Sequence, residues 1–156
     1  MGKKILIIII LSVLFSAVSL RAQAQDGINW LTFEQLADSL NTKPKKVLVF
    51  FHTDWCSYYK KMLKETFIDP HAVEKINADY YAVHFDAEAI DSITFDNLTL
   101  SNTTAKKRRG QYHQMARLLM PSTQMIFPTT ILLDADFKLI ESHQKYLSTK
   151  DMHKIL

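Results

Sequence analysis

The side chains with most chemistry to offer lie in Asp54-Trp-Cys-Ser-Tyr-Tyr-Lys60, directly after the apolar run Val47–Phe51. Cys56 is the single cysteine of the chain. A thiolate attacks disulfides, and dithiol redox motifs carry a second thiol three positions on, which clears the mixed disulfide that results. Here that position is Tyr59. With one cysteine no intrachain disulfide can form, and two fates are open: a small buried hydrophobe or a reactive thiol. Position favours the second. A helix beginning near Ser57 would set Cys56 against unpaired backbone N–H groups and the positive end of a helix dipole, both of which favour a thiolate. Lys60 and Lys61 add positive charge close by.

Other reactive side chains are less suggestive. The six histidines (52, 71, 84, 113, 143 and 153) show no metal-ligand spacing, so neither a metal nor a cofactor is expected. A Cys–His hydrolase would need a polarising partner, for which His52 is the only local option. Lys106-Lys-Arg-Arg109 reads as a solvated loop, with docking of an acidic partner as the other reading. Asn97 and Asn102 head glycosylation sequons, which matter only in a glycosylating host.

Elements that could position Cys56 follow from periodicity. Residues 28–31 suit a short strand, and Thr32-Phe-Glu-Gln35 is a capping box opening a helix with Phe33, Leu36 and Leu40 on one face. Lys46–His52 is β-branched and aromatic, too short for a helix and apolar on both faces, which predicts a central strand covered on both sides. A helix over 57–66 would turn Tyr59, Met62, Leu63 and Thr66 inward and Lys60, Lys61 and Lys64 outward. Asp69-Pro70 starts another helix, running to about Asn77. Tyr80–Asp86 is a second buried strand, and 87–110 reads as an insertion loop with a small hairpin near Ile93–Leu100. A helix over Gln111–Met120 would bury Tyr112, Met115, Leu118 and Leu119. Phe127–Asp134 is a third strand, Lys138–Ser142 returns antiparallel, and Ser148 caps a last helix that is short for this plan. Strands alternating with helices and closed by a hairpin predict an α/β domain.

These residues carry a resemblance. A buried strand, Trp-Cys at the mouth of a helix, and a distant Phe-Pro-Thr opening another strand resemble the thioredoxin-like superfamily. Phe51-His-Thr-Asp-Trp-Cys-Ser-Tyr-Tyr-Lys-Lys-Met62 is similar to the F-H-T-D-W-C-x-x-C-K-K-M motif of exported thioredoxin-related proteins, with Tyr59 in place of the second cysteine. Gly110–Leu119 followed by Phe-Pro-Thr-Thr130 also resembles that group, and the likeness covers residues 28–156. It implies a thioredoxin-like fold with a central mixed sheet of four to five strands flanked by helices. It further implies Cys56 as the catalytic thiol, with Trp55, Ser57, Tyr58, Tyr59, Lys60 and His52 around it. Phe127, Pro128 and Thr129 would flank a substrate groove, Pro128 being cis and against the cysteine. Phe50 stands where thioredoxins carry a buried acid that aids proton transfer, and Ser57 and Tyr58 depart from the family's usual pair.

The N-terminus sets compartment and charge. Lys3 and Lys4 precede the mainly apolar 16-residue run Ile5–Leu20, and Ala22-Gln-Ala24 fits small-x-small cleavage, so 1–24 reads as a signal peptide and 25–156 as one domain. An uncleaved anchor would need roughly 20 apolar residues. The expectation is an exported protein, periplasmic or secreted, with no membrane association once the signal is removed. The formal net charge is +3, and Lys3, Lys4 and Arg21 account for all of it: without them, 16 of the 19 basic residues remain against 16 acidic ones. No basic field remains to attract nucleic acid.

Two functions fit. One is thiol–disulfide exchange on protein thiols or disulfides, in redox homeostasis or in disulfide isomerisation or reduction, with release by an external thiol because no resolving cysteine exists. The other is a redox-inactive thioredoxin-fold module that binds peptides or a partner protein. The sequence leaves oligomeric state open.

Overall fold

The computed structural model describes residues 27–156 except 105 and 123. The expected signal peptide lies outside the described residues. Among these, no helix is long and apolar enough to cross a membrane.

Five strands form the central sheet in the order β1-β3-β2-β6-β7: β1 (Trp30–Leu31), β3 (Tyr80–Asp86), β2 (Lys46–His52), β6 (Thr129–Leu133) and β7 (Leu139–His143). β3 pairs in parallel with both β1 and β2, whereas β6 runs antiparallel to β2 and to β7. The mixed sheet expected from the resemblance is therefore present. β2 lies at its centre, with every residue from Val47 to His52 buried. Its side chains alternate between two cores. Val47, Val49 and Phe51 pack with Phe33, Leu36, Met115 and Ile131 on one face, and Leu48 and Phe50 with Met62, Phe67, Ile76 and Met152 on the other. An uninterrupted apolar run is what a strand needs when helices cover both sides.

The helices begin where their caps say they should. α1 (Phe33–Thr42) starts at Thr32, whose Oγ1 accepts from Gln35 N at 3.2 Å while Thr32 N donates to Gln35 Oε1 at 2.9 Å. α2 (Ser57–Glu65) follows β2 after a four-residue turn, and Met62 is the residue it buries most deeply. α3 (Pro70–Asp79) has Asp69 as cap, accepting from Ala72 N at 3.0 Å, with proline at its first position. α5 (Thr149–Ile155) repeats the capping box with Ser148 and Asp151.

Residues 87–110 hold more structure than an insertion loop. β4 (Ile93–Phe95) and β5 (Leu98–Leu100) form the expected hairpin. Asp96 and Asn97 both have positive φ, 48° and 62°, the backbone of a type I′ turn. Asn102 is buried, and its Nδ2 donates to Ala89 O and Gln111 O, pinning the loop at its base. That sequon amide is thus engaged inside the fold.

One helix departs from expectation. α4 spans Gln114–Leu119 and starts three residues later than the periodicity suggests. His113, fully buried, caps it through Nδ1, which accepts from Met115 N at 3.0 Å. Its buried face carries Met115 and Ala116, while Leu118, expected inside, is 61% exposed. Tyr112 lies before the helix and packs on Phe127, with ring centroids 5.4 Å apart.

Candidate functional site

β2 ends at His52, and a tight turn then carries the chain into α2. Cys56 N donates to Thr53 O at 3.0 Å to close this turn. Cys56 is the N-cap residue of α2 (φ −75°, ψ 112°), its side chain makes no capping hydrogen bond, and the first turn holds no acid. The expected position at a helix start is realised. Of the two fates left open, the side chain itself is buried: Cys56 is 6% exposed, against the reactive thiol that its position favours, while Trp55 and Tyr58 on either side are 45% and 58% exposed. Ser57 and Lys60 are exposed as well. Within the 53–56 turn Thr53 and Cys56 are buried, while Asp54 and Trp55 face solvent.

Phe51 pairs with Thr129 in the β2–β6 register, so Pro128 enters the sheet at the end where Thr53–Cys56 leaves it. Pro128 is buried and its peptide bond with Phe127 is cis. Thr129 is buried, with Oγ1 donating to Ile126 O at 2.6 Å, and Phe127 is half-buried. These three residues therefore lie at the same end of the sheet as the motif, with Ile126 exposed beside them.

Beneath the turn lies a column of stacked rings. Tyr59 stacks on His52 at 3.9 Å and 8°, and His52 stacks on His84 at 4.2 Å and 26°. Phe50 lies 5.6 Å from His84 and 4.6 Å from Phe67, fully buried. Tyr59 thus fills the place of the resolving thiol with a ring that continues the column. His52 is 5% exposed and its Nδ1 has no hydrogen-bond partner; His84 Nε2 is likewise buried and unpartnered. Burial pushes the His52 imidazole down to about 3, with the neighbouring His84 adding to the effect against the opposing pull of Asp54. Burial also lowers His84. Both rings are neutral near pH 7. Phe50 leaves no carboxyl in this column to move a proton.

The basic run 106–109 is an exposed loop, as its composition suggests, but two of its cations have partners at the site. Lys107 Nζ is hydrogen-bonded to carboxylate oxygens of both Asp54 and Asp86. Burial works against the Lys107 ammonium, yet the two carboxylates hold its pKa above the usual lysine value, and the same hydrogen bond holds Asp54 below the usual carboxylate range. The Arg109 guanidinium lies 3.9 Å from the centroid of the Trp55 ring. Trp55 Nε1 donates to Glu88 Oε2 at 3.0 Å, and Gly110 N donates to Glu88 Oε1 at 2.6 Å. Glu88 is 2% exposed. Sequence reasoning missed Asp86, Glu88, Lys107 and Arg109 as parts of the site. Only their charge and their position in a long polar loop could have hinted at it.

His52, Asp54 and Asp86 each bring one ligand atom within 4.8 Å of the other two, a spacing a cation could use. Lys107 already supplies a positive charge to both carboxylates, so the cluster has an internal explanation. Among the described residues the turn thus sets one thiol at a helix start, with Tyr59 three positions on in place of a second thiol and Phe50 in the column beneath.

Residues 33–156 match the family model of the thioredoxin-like domain. No functionally curated protein sequence matches. Among solved structures the chain is similar to DsbH oxidoreductase (14% identity, TM-score 0.57, covering 88% of this chain and 89% of that one). It is similar also to a disulphide isomerase of Xylella fastidiosa Temecula1 (12% identity, TM-score 0.53, 88% and 95%). A thioredoxin of Thermus thermophilus is a third (17% identity, TM-score 0.54, 83% and 87%). Identities this low speak for the fold alone. With the five-stranded mixed sheet, the turn into α2 and the family match over most of its length, the chain belongs to the thioredoxin-like domain family.

Proposed function

We propose that this protein carries out thiol–disulfide exchange through Cys56 alone, on protein thiols or disulfides, as an exported and most naturally periplasmic protein. The observation that carries the reading is a lone cysteine at the N-cap of α2, with Phe127, Pro128 and Thr129 at the same end of the sheet. The Cys56 thiolate attacks one sulfur of a substrate disulfide, forms a mixed disulfide and expels the other sulfur as a thiolate. Tyr59 cannot resolve that bond. A second thiolate must attack it, which restores Cys56 and forms a new disulfide between the incoming thiol and the bound half. Where the incoming thiol belongs to the same substrate, the net result is isomerisation with no change in oxidation state. Where it is a small thiol, the substrate leaves as a mixed disulfide or, after a second attack, reduced. The leader read over residues 1–24 and the balanced charge of the remainder support an exported protein with no nucleic-acid partner.

The burial of Cys56 beside exposed Trp55, Tyr58 and Ile126 favours one second reading, a redox-silent module that uses the same end of the sheet to bind a peptide. Reshuffling of a mispaired two-disulfide peptide in dilute glutathione separates the two. Exchange predicts acceleration by the wild type and none by Cys56→Ser. Equal rates with both, alongside binding of the peptide, would establish the module.

A further inference from the structure

The segment 106–110 lies 50 residues beyond the Cys56 turn, yet three of its residues engage the motif or its support. Lys107 ties Asp54 on the turn to Asp86 at the end of β3. Arg109 covers the face of Trp55 at 3.9 Å. Gly110 N and Trp55 Nε1 converge on the two oxygens of the buried Glu88 carboxylate. The two residues immediately before Cys56 are thus each held from outside the motif. Cys56 itself is covered while Trp55 and Ser57 beside it are exposed. Cys56 follows Asp54 and Trp55 in the same 53–56 turn, which an i→i+3 backbone bond from Cys56 N to Thr53 O closes.

We infer that residues 106–110 form a strap over the Cys56 turn, with Lys107 and Arg109 as positioning residues that set how often the thiol becomes accessible. This rests on the reading that Cys56 is the reacting group. The strap is electrostatic where it meets Asp54, a contact largely open to solvent: the Asp54 side chain is 67% exposed and that of Lys107 40%. Contacts of this kind are weak singly and screened by salt, so they suit a fastening that opens without unfolding. An incoming substrate bearing acidic groups would compete with Asp54 for Lys107 and with the Trp55 ring for Arg109, and in doing so would release the turn. Asp86 and Glu88, held by the sheet and the loop base, are the fixed side of the strap; Asp54 and Trp55 are the side that moves.

The test is the second-order rate of Cys56 alkylation by iodoacetamide, an uncharged probe, under conditions where urea titration shows each variant fully folded. Lys107→Ala and Arg109→Ala should each speed alkylation, and the double variant by roughly tenfold, the factor that loss of a pair of partly exposed contacts gives an opening equilibrium. Lys107→Arg, which keeps the charge between the carboxylates, should stay near the wild-type rate. Raising salt from about 20 mM to about 500 mM should speed the wild type more than Lys107→Ala, because the variant lacks the Lys107–Asp54 contact that screening weakens. Rates within twofold for wild type, Lys107→Ala and the double variant would overturn the strap, as would a wild-type rate indifferent to salt. The salt series needs no variant, so it decides the matter even if a substitution prevents folding. Alkylation reports access to the sulfur and not exchange, so loss of peptide reshuffling with a normal strap response would sink the proposed function alone.

Discussion

Acidification from pH 7 to pH 5 should destabilise this protein by an amount traceable to His52. In the unfolded chain a histidine titrates near 6.5. In the fold, burial pushes His52 down to about 3, against rings of His84 and Tyr59 and with no partner for Nδ1. Below pH 6.5 the unfolded state therefore binds a proton that the folded state refuses, and stability falls as pH drops until about pH 3. One proton of difference is worth about 1.4 kcal/mol per pH unit. Over pH 7 to 5 the loss from His52 comes to about 2 kcal/mol, an appreciable part of a total of about 5–15 kcal/mol. His84 and His113, both lowered by burial first, act in the same direction. The carboxylates held low by partners, Asp54 and Asp69 among them, ordinarily titrate near 3.8 and lose their contribution below this window. The assay is urea unfolding followed by tryptophan fluorescence at pH 7 and pH 5, for wild type and for His52→Phe. Phenylalanine keeps a ring in the stack and strands no hydrogen bond at Nδ1. The pH-dependent loss should shrink by about 2 kcal/mol in the variant. An equal loss in both proteins would mean that His52 is accessible to protons in the fold, and the picture of a sealed aromatic column would be wrong.

Two other outcomes follow from the same column. Phe50→Ala should cost about 3–5 kcal/mol in the same urea assay, since the ring is fully buried against Phe67, His84 and Tyr59; a cost under about 1 kcal/mol would show that the neighbours close the gap. Tyr59→Cys should give a folded protein that reduces insulin with dithiothreitol as electron source, where the wild type does not exceed the uncatalysed rate. A folded but silent variant would mean that the site lacks more than its second thiol.

Much of the fold was legible because its signals are local. Lys46–His52 and Tyr80–Asp86 read as buried strands from unbroken apolarity, and both have those bounds in the structure. The capping box at Thr32, Ser148 as a cap and the proline after Asp69 marked three helix starts, each found with its hydrogen bonds in place. The hairpin was visible as Asp-Asn between short apolar triplets. α4 was misplaced because histidine is an unusual cap, and a helix starting at Gln114 faces Leu118 outward. The site was legible only along the chain. Cys56, Trp55 and Tyr59 announce themselves within a few residues of each other. Lys107 meets Asp54 across 53 residues and Glu88 meets Trp55 across 33, and no periodicity encodes such pairs. Nor does the letter H tell whether an imidazole is solvated or stacked between two rings, as His52 is. The burial of Cys56 was equally out of reach, since the sequence left a buried and a reactive thiol both open.

The account stands or falls on whether one sulfur, with no partner, exchanges with a disulfide. Stopped-flow mixing of the protein with a quenched-fluorescence disulfide peptide, without added thiol, reads this directly. The account predicts a burst of one leaving thiol per chain and then silence, resuming only when glutathione is added and absent in Cys56→Ser. No burst from folded, reduced protein, or continued turnover with no added thiol, would contradict it.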